Sequence, residues 1–186
     1  ILLTTVAIPG LGVAQAVDLP TTCTAEADAA VDDGLTHLHN MMYIQAEAAF
    51  NRAAEADADC AMAVWGIAMS NFHPLWPGGP TPDETARGTE AAERLAGMAR
   101  ETALEQAFAE AALAFYAPEH EGYRARIAAW AAAQTAAHEA HPDNIDAAAL
   151  AALARLATAP GGPDRVRVNA EVGDLLDSLH AATPDH

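Results

Sequence analysis

An all-α protein built from antiparallel helix pairs is the fold class that this sequence predicts, on three observations. Alanine makes up about a quarter of the 186 residues and aromatics only 5%. Alanine has the best helix propensity, and its small side chain lets helices approach closely. Sustained alternation of β-branched and polar residues is absent apart from the short Arg165–Asn169 stretch, so strand signals are nearly missing. Small and large packing residues also recur in residues 34–68: Gly34, Ala46 and Phe50, then Ile67 and Ala68. A chain of this length can bury one sizeable core.

The elements follow in order. Helix A1 is predicted over Glu26–Asn40 and B1 over Ile44–Ala56, where Ala46, Ala49, Phe50 and Ala53 make an inner stripe at helical spacing. A2 spans Cys60–Asn71. From His73 to Pro82 the prolines at 74, 77, 80 and 82 and the glycines at 78 and 79 forbid helix. A long connection carrying Trp76 suits a functional loop. Thr81 then caps B2, with Pro82 at its first position and Asp83 and Glu84 in the first turn, and the helix runs to Met98. A3 covers Glu101–Tyr116 and B3 Glu119–Glu139. The turn His141-Pro142-Asp143-Asn144 leads into A4 at Ile145–Ala157, and the loop 159–163 into B4 at Val166–His180. Thr183-Pro184-Asp185-His186 reads as one more inter-repeat turn.

With Phe50 set as the large residue of a second helix, the pattern matches a tetratricopeptide repeat, a 34-residue unit of two antiparallel helices. Gly34 falls on the first-helix glycine, Ala46 on the second-helix alanine, and Ile67-Ala68 replaces the next Leu-Gly pair. Asp33 and Ala58 depart from the usual leucine and proline. Such a unit cannot bury its apolar face alone, so it stacks on neighbours and leaves a concave groove. The expectation is a tetratricopeptide-like α-solenoid of about four helix pairs. The phrase Gly34-Leu35-Thr36-His37-Leu38-His39-Asn40, followed by Cys60-Ala61-Met62-Ala63-Val64-Trp65-Gly66-Ile67-Ala68-Met69-Ser70, resembles a family of exported bacterial tetratricopeptide-repeat proteins. In that family a histidine-rich helix follows, entered through a Pro-x-His-Pro-Gly turn, whose start Pro184-Asp185-His186 is similar to. The resemblance implies a chain truncated at both ends; it supplies no activity.

Charge narrows the partners. The formal net charge is −17, and all nine basic residues are arginine. Such a surface repels phosphate backbones, so no nucleic acid is expected, while cations or basic partners are favoured. A GC-rich or salt-adapted genome yields the same composition. Ile1–Val13 is an apolar run broken by Pro9 and Gly10, ending in Ala14-Gln15-Ala16, an A-x-A cleavage pattern. Residues 1–16 therefore read as part of a signal peptide, 17–25 as a linker and 26–186 as the helical domain, incomplete at its C-terminus. The run is too short for a membrane span, so the mature form is expected to have none. Export to the periplasm or beyond gives Cys23 and Cys60 an oxidising setting in which they can pair, since Cys23 precedes A1, Cys60 starts A2, and adjacent A helices lie side by side. One buried and one mobile thiol is the alternative.

Histidine placement is the functional clue. His39 and His73 stand one repeat period apart, at late A-helix positions that face the groove together with Trp65, Met69 and Phe72. Three readings follow: imidazoles capping helix ends, polar contacts in a peptide groove anchored by Trp65, Phe72 and Trp76, or ligands for zinc or copper. His37 and His39 lie about 200° apart around a helix and cannot share an ion. His138 and His141 read as a solvated helix end, Asp32-Asp33 as surface charge, and Met62 and Met69 as core. No nucleophile elbow surrounds Ser70 or Ser178, and a lysine-free chain cannot build a phosphate loop ending in Lys-Ser/Thr. The expected function is binding of a protein or peptide through His39, Trp65, Met69, Phe72, His73 and Trp76, without a cofactor. The alternatives are a His39/His73 metal site, enzymatic in a longer protein, and a structural spacer.

Overall fold

The computed structural model describes residues 19–184. The signal-peptide reading of residues 1–16 lies outside them. Among the described residues there are eight helices and no strand: α1 (Ala25–His39), α2 (Tyr43–Ala56), α3 (Ala61–Met69), α4 (Pro82–Ala96), α5 (Ala103–Tyr116), α6 (Tyr123–Ala140), α7 (Ile145–Ala157) and α8 (Pro163–Ala182). The Arg165–Asn169 alternation is part of α8.

Local chemistry sets most boundaries. Thr81 and Thr102 each accept the third residue's backbone N–H, and Glu84 and Glu105 reach back to the caps, closing capping boxes on α4 and α5. Asn144 Oδ1 accepts the Ala147 N–H at 2.8 Å and starts α7. Several boundaries shift from the sequence reading, and three of the shifts have a clear local cause. Pro163 occupies the first turn of α8, where its missing N–H costs nothing, so that helix begins three residues before Val166. Gly122, at φ 80°, delays α6 to Tyr123. α3 stops at Met69, and Asn71 instead turns its side-chain amide onto the Ile67 carbonyl at 2.8 Å.

Every helix packs on the next in sequence, and α1 with α3 and α3 with α5 also lie against one another. α5 and α7 lack a comparable contact. The first turn of α7 instead reaches α1, where Asp146 Oδ1 lies 2.8 Å from His39 Nε2. The core is a chain of aromatic contacts. Phe50 is fully buried against Gly34 and Gly66 with its edge on Trp65, Trp65 meets Phe108, and Phe72 lies between Phe115 and Trp130. Burying each such ring contributes about 1.5–3 kcal/mol.

The segment before α1 is fastened rather than a free linker. Leu19 is buried, and the Thr24 N–H donates to Asp57 Oδ2 at 2.8 Å. The Thr22 N–H and hydroxyl both donate to Glu105 Oε1 at 2.8 Å. Cys23 and Cys60 are joined by a disulfide with Cα atoms 4.9 Å apart, tying this segment to the N-cap of α3.

Candidate functional site

Two connections shape one face of the molecule. At the end of α1 the chain reverses through Met41, which adopts a left-handed φ of 57°, before Tyr43 opens α2. After α3 it enters the proline-rich loop, where His73 is also left-handed at φ 48°. Pro74 by itself would favour extended backbone at His73, so the left-handed φ is imposed by the surroundings. The strained backbone is held from several sides. Tyr123 donates its hydroxyl to the His73 carbonyl at 2.9 Å, and its ring packs on Gly79, itself at φ 62°. The imidazole stacks on Trp76 with centroids 4.8 Å apart and makes a T-shaped contact with Tyr43 at 4.3 Å. Backbone strain of this kind persists where the surroundings over-determine it, and it marks candidate functional positions.

The first pocket is an apolar cavity of about 310 Å³ where α1 ends, bounded by Pro74 and Leu75, by α7 and by α8. Leu38, Met69, Leu75, Leu153, Leu176 and Leu179 supply most of its wall. Its polar elements include His39 and His180. His39 is held by Asp146, whose side chain is 2% exposed. Asp146 sits in the first turn of α7, where unsatisfied backbone N–H groups favour an anion.

The second pocket, about 260 Å³, adjoins the first and shares Met41 and Tyr43 with it. Its far side holds Met42, Ile44, His73, Trp76, Glu84 and the Glu47–Arg87 pair. Arg87 grips Glu47 through Nε at 2.8 Å and a second nitrogen at 3.3 Å. Glu84 lies 3.0 Å from His73 Nε2, at ion-pair distance but off the line of a good hydrogen bond. The Thr81 backbone N–H, then the Thr81 hydroxyl and His73, hold the Glu84 carboxyl at about 2 against a partial desolvation that pushes it up. It is therefore an acceptor-only carboxylate at neutral pH. A third opening, about 540 Å³, is also bordered by Trp76 and by Pro74, Leu75 and Pro77 of the loop, and it carries Arg124 and Arg165.

The structure separates the residues that the sequence grouped. His39, Met69, His73 and Trp76 do line the paired pockets. Trp65 and Phe72 do not: both are completely buried, because Phe108, Phe115 and Trp130 fill the space in which a groove was expected. His73 lies beyond α3, so its one-period spacing from His39 does not give it an equivalent place. The two imidazoles sit against different carboxylates, and among the described residues no group of three or more His, Cys, Asp or Glu side chains is placed to hold a metal ion. His37 pairs locally with Asp33, and His138 has a buried Nδ1 rather than a fully solvated ring.

Sequence reasoning missed Tyr43, Glu84 and Asp146 as members of this face. Glu84 was visible only as a first-turn acid, and Asp146 was not singled out; neither position names the distant histidine it meets. No protein-family model, curated protein or solved structure matches the chain, so the geometry of this face carries the functional argument.

Proposed function

We propose that the protein is a helical-repeat binding module of tetratricopeptide-like, α-solenoid type, which holds a protein or peptide partner on the face formed by the two adjoining pockets. One observation carries this reading. Among the described residues six large hydrophobic side chains are exposed, and five of them, Met41, Met42, Ile44, Trp76 and Leu176, border these pockets. Clustered exposed apolar groups around a concavity mark interaction sites, whereas scattered ones need no explanation. Aliphatic walls with two pinned imidazoles suit apolar side chains of a partner better than a reaction centre. The Cys23–Cys60 disulfide favours an oxidising, periplasmic or secreted setting for this module.

Calorimetric titration with a synthetic amphipathic helical peptide, leucines at i, i+3, i+4 and i+7 and arginines flanking them, tests the reading. Binding should weaken at least about ten-fold in the double variant Met41→Asp, Leu176→Asp, a change of about 1.4 kcal/mol. Aspartate tolerates the left-handed backbone at position 41. No heat with the unsubstituted protein, or equal affinity in the variant, would contradict it.

A further inference from the structure

The second pocket differs chemically from the first, and that difference identifies part of the partner. We infer that it is a subsite for a cationic side chain, an arginine above all, adjacent to the apolar cavity that takes the partner's aliphatic residue. This inference rests on the binding-face reading above and refines it.

Trp76 is 50% exposed although His73 stacks on its ring and Tyr43 lies roughly perpendicular to it at 5.6 Å, so indole surface at the pocket stays open. A guanidinium stacks on such a face. The charge around it favours the same occupant. Glu47 and Glu84 contribute two carboxylates; Arg87 offsets one, being bound bidentately to Glu47. Glu84, 3.0 Å from His73 Nε2, keeps its side chain 26% exposed at the pocket. That carboxylate attracts a cation and repels an anion. Met42 and Ile44, exposed on the rim, suit the methylene stem of an arginine. At long range the formal charge of −17, with no lysine, attracts a basic partner.

Tryptophan fluorescence reports on Trp76, which borders this pocket and the third opening, because Trp65 and Trp130 are fully buried while Trp76 is half exposed. N-acetylarginine amide should give a saturable change in emission that is absent in Trp76→Phe, and N-acetylnorleucine amide and N-acetylglutamate amide should give none. In the amphipathic peptide, replacing the flanking arginines with norleucine should weaken binding about two- to five-fold. Glu84→Gln, which keeps the capping box, should lose a similar factor towards the arginine peptide and nothing towards the norleucine peptide. A thermal melt of Glu84→Gln checks that α4 keeps its start. Equal affinity for the arginine and norleucine peptides would overturn the cationic subsite and leave the binding face standing. Failure of both peptides to bind would overturn both.

Discussion

Gly66→Ala separates local helix propensity from tertiary packing, because the two predict opposite signs. Gly66 lies inside α3, where replacing glycine by alanine gains about 0.8–1.0 kcal/mol of propensity. A Cβ at that position would lie 2.2 Å from Phe50 Cδ1 and 2.3 Å from Cε1. The ring would have to retreat by more than 1 Å to reach ordinary contact at 3.4 Å. Retreat is blocked, since a Cβ at Gly34 would already stand 2.7 Å from the same ring, and Phe50 is wholly buried. Overpacking of this kind costs about 1–3 kcal/mol, and more where the backbone must move. The net expectation is a loss of about 1–2 kcal/mol, read as a fall of roughly 2–8 °C in Tm for a chain of this size. Gly173→Ala is the control: it is also inside a helix, α8, but nothing lies within 4 Å of its Cβ position. That change should stabilise by about 0.5–1 kcal/mol. Urea titrations followed by circular dichroism measure both. In a Phe50→Leu background the cost of Gly66→Ala should shrink or vanish. Equal stabilisation by Gly66→Ala and Gly173→Ala would refute the claim that Phe50 is clamped between the two glycines.

Three further expectations concern the ties that hold the fold together. Burial raises the Glu105 carboxyl, but hydrogen bonds from the Thr22 and Thr102 N–H and hydroxyl groups outweigh it and hold the group below its usual 4.5. Its contribution is therefore complete above about pH 4.5 and is lost as pH falls through the lowered value. Glu105→Gln should cost about 1–3 kcal/mol at pH 7 and flatten that acid limb in pH-dependent urea melts. Replacing Cys23 and Cys60 by alanine, or reducing the disulfide, should cost about 2–4 kcal/mol in the same melts. It should also speed proteolysis near Leu19–Thr24, because the cystine anchors that segment. His39→Ala leaves the Asp146 carboxylate, 1% exposed, without its imidazole and should destabilise by about 1–3 kcal/mol. Calorimetric melting checks it, and Asp146→Asn added to His39→Ala should recover part of the loss.

Much of the helical framework was legible because its signals are local. The Asn144 cap and the alanine-rich run that follows define α7 at the residues expected, and Thr81-Pro82-Asp83-Glu84 announces α4 in four positions. The pairing of Gly34 with Phe50 was readable for the same reason, whereas Gly66, the second glycine on that ring, was missed because the repeat register put Ala68 in that role. The functional face was harder. Period-based placement put Trp65 and Phe72 on a surface, yet three aromatics from α5 and α6 cover them, and no spacing within α3 reports that. His73 follows the repeat spacing in sequence, but Pro74 takes it out of any helix. The His39–Asp146 contact spans 107 residues, and nothing near either residue encodes the other.

The methionines offer the most direct test of the binding face. Met41, Met42 and Met69 line the paired pockets, while Met62 is buried in α3 and Met98 lies beyond the end of α4, neither bordering them. Titrating methyl-13C-methionine protein with the leucine-arginine peptide, followed by two-dimensional NMR, therefore carries its own internal controls. The account predicts saturable shifts of Met41, Met42 and Met69, largest at Met41 where the pockets meet, with Met62 and Met98 unmoved. Shifts confined to Met62 and Met98, or none at concentrations where calorimetry reports binding, would place the partner elsewhere and contradict the account.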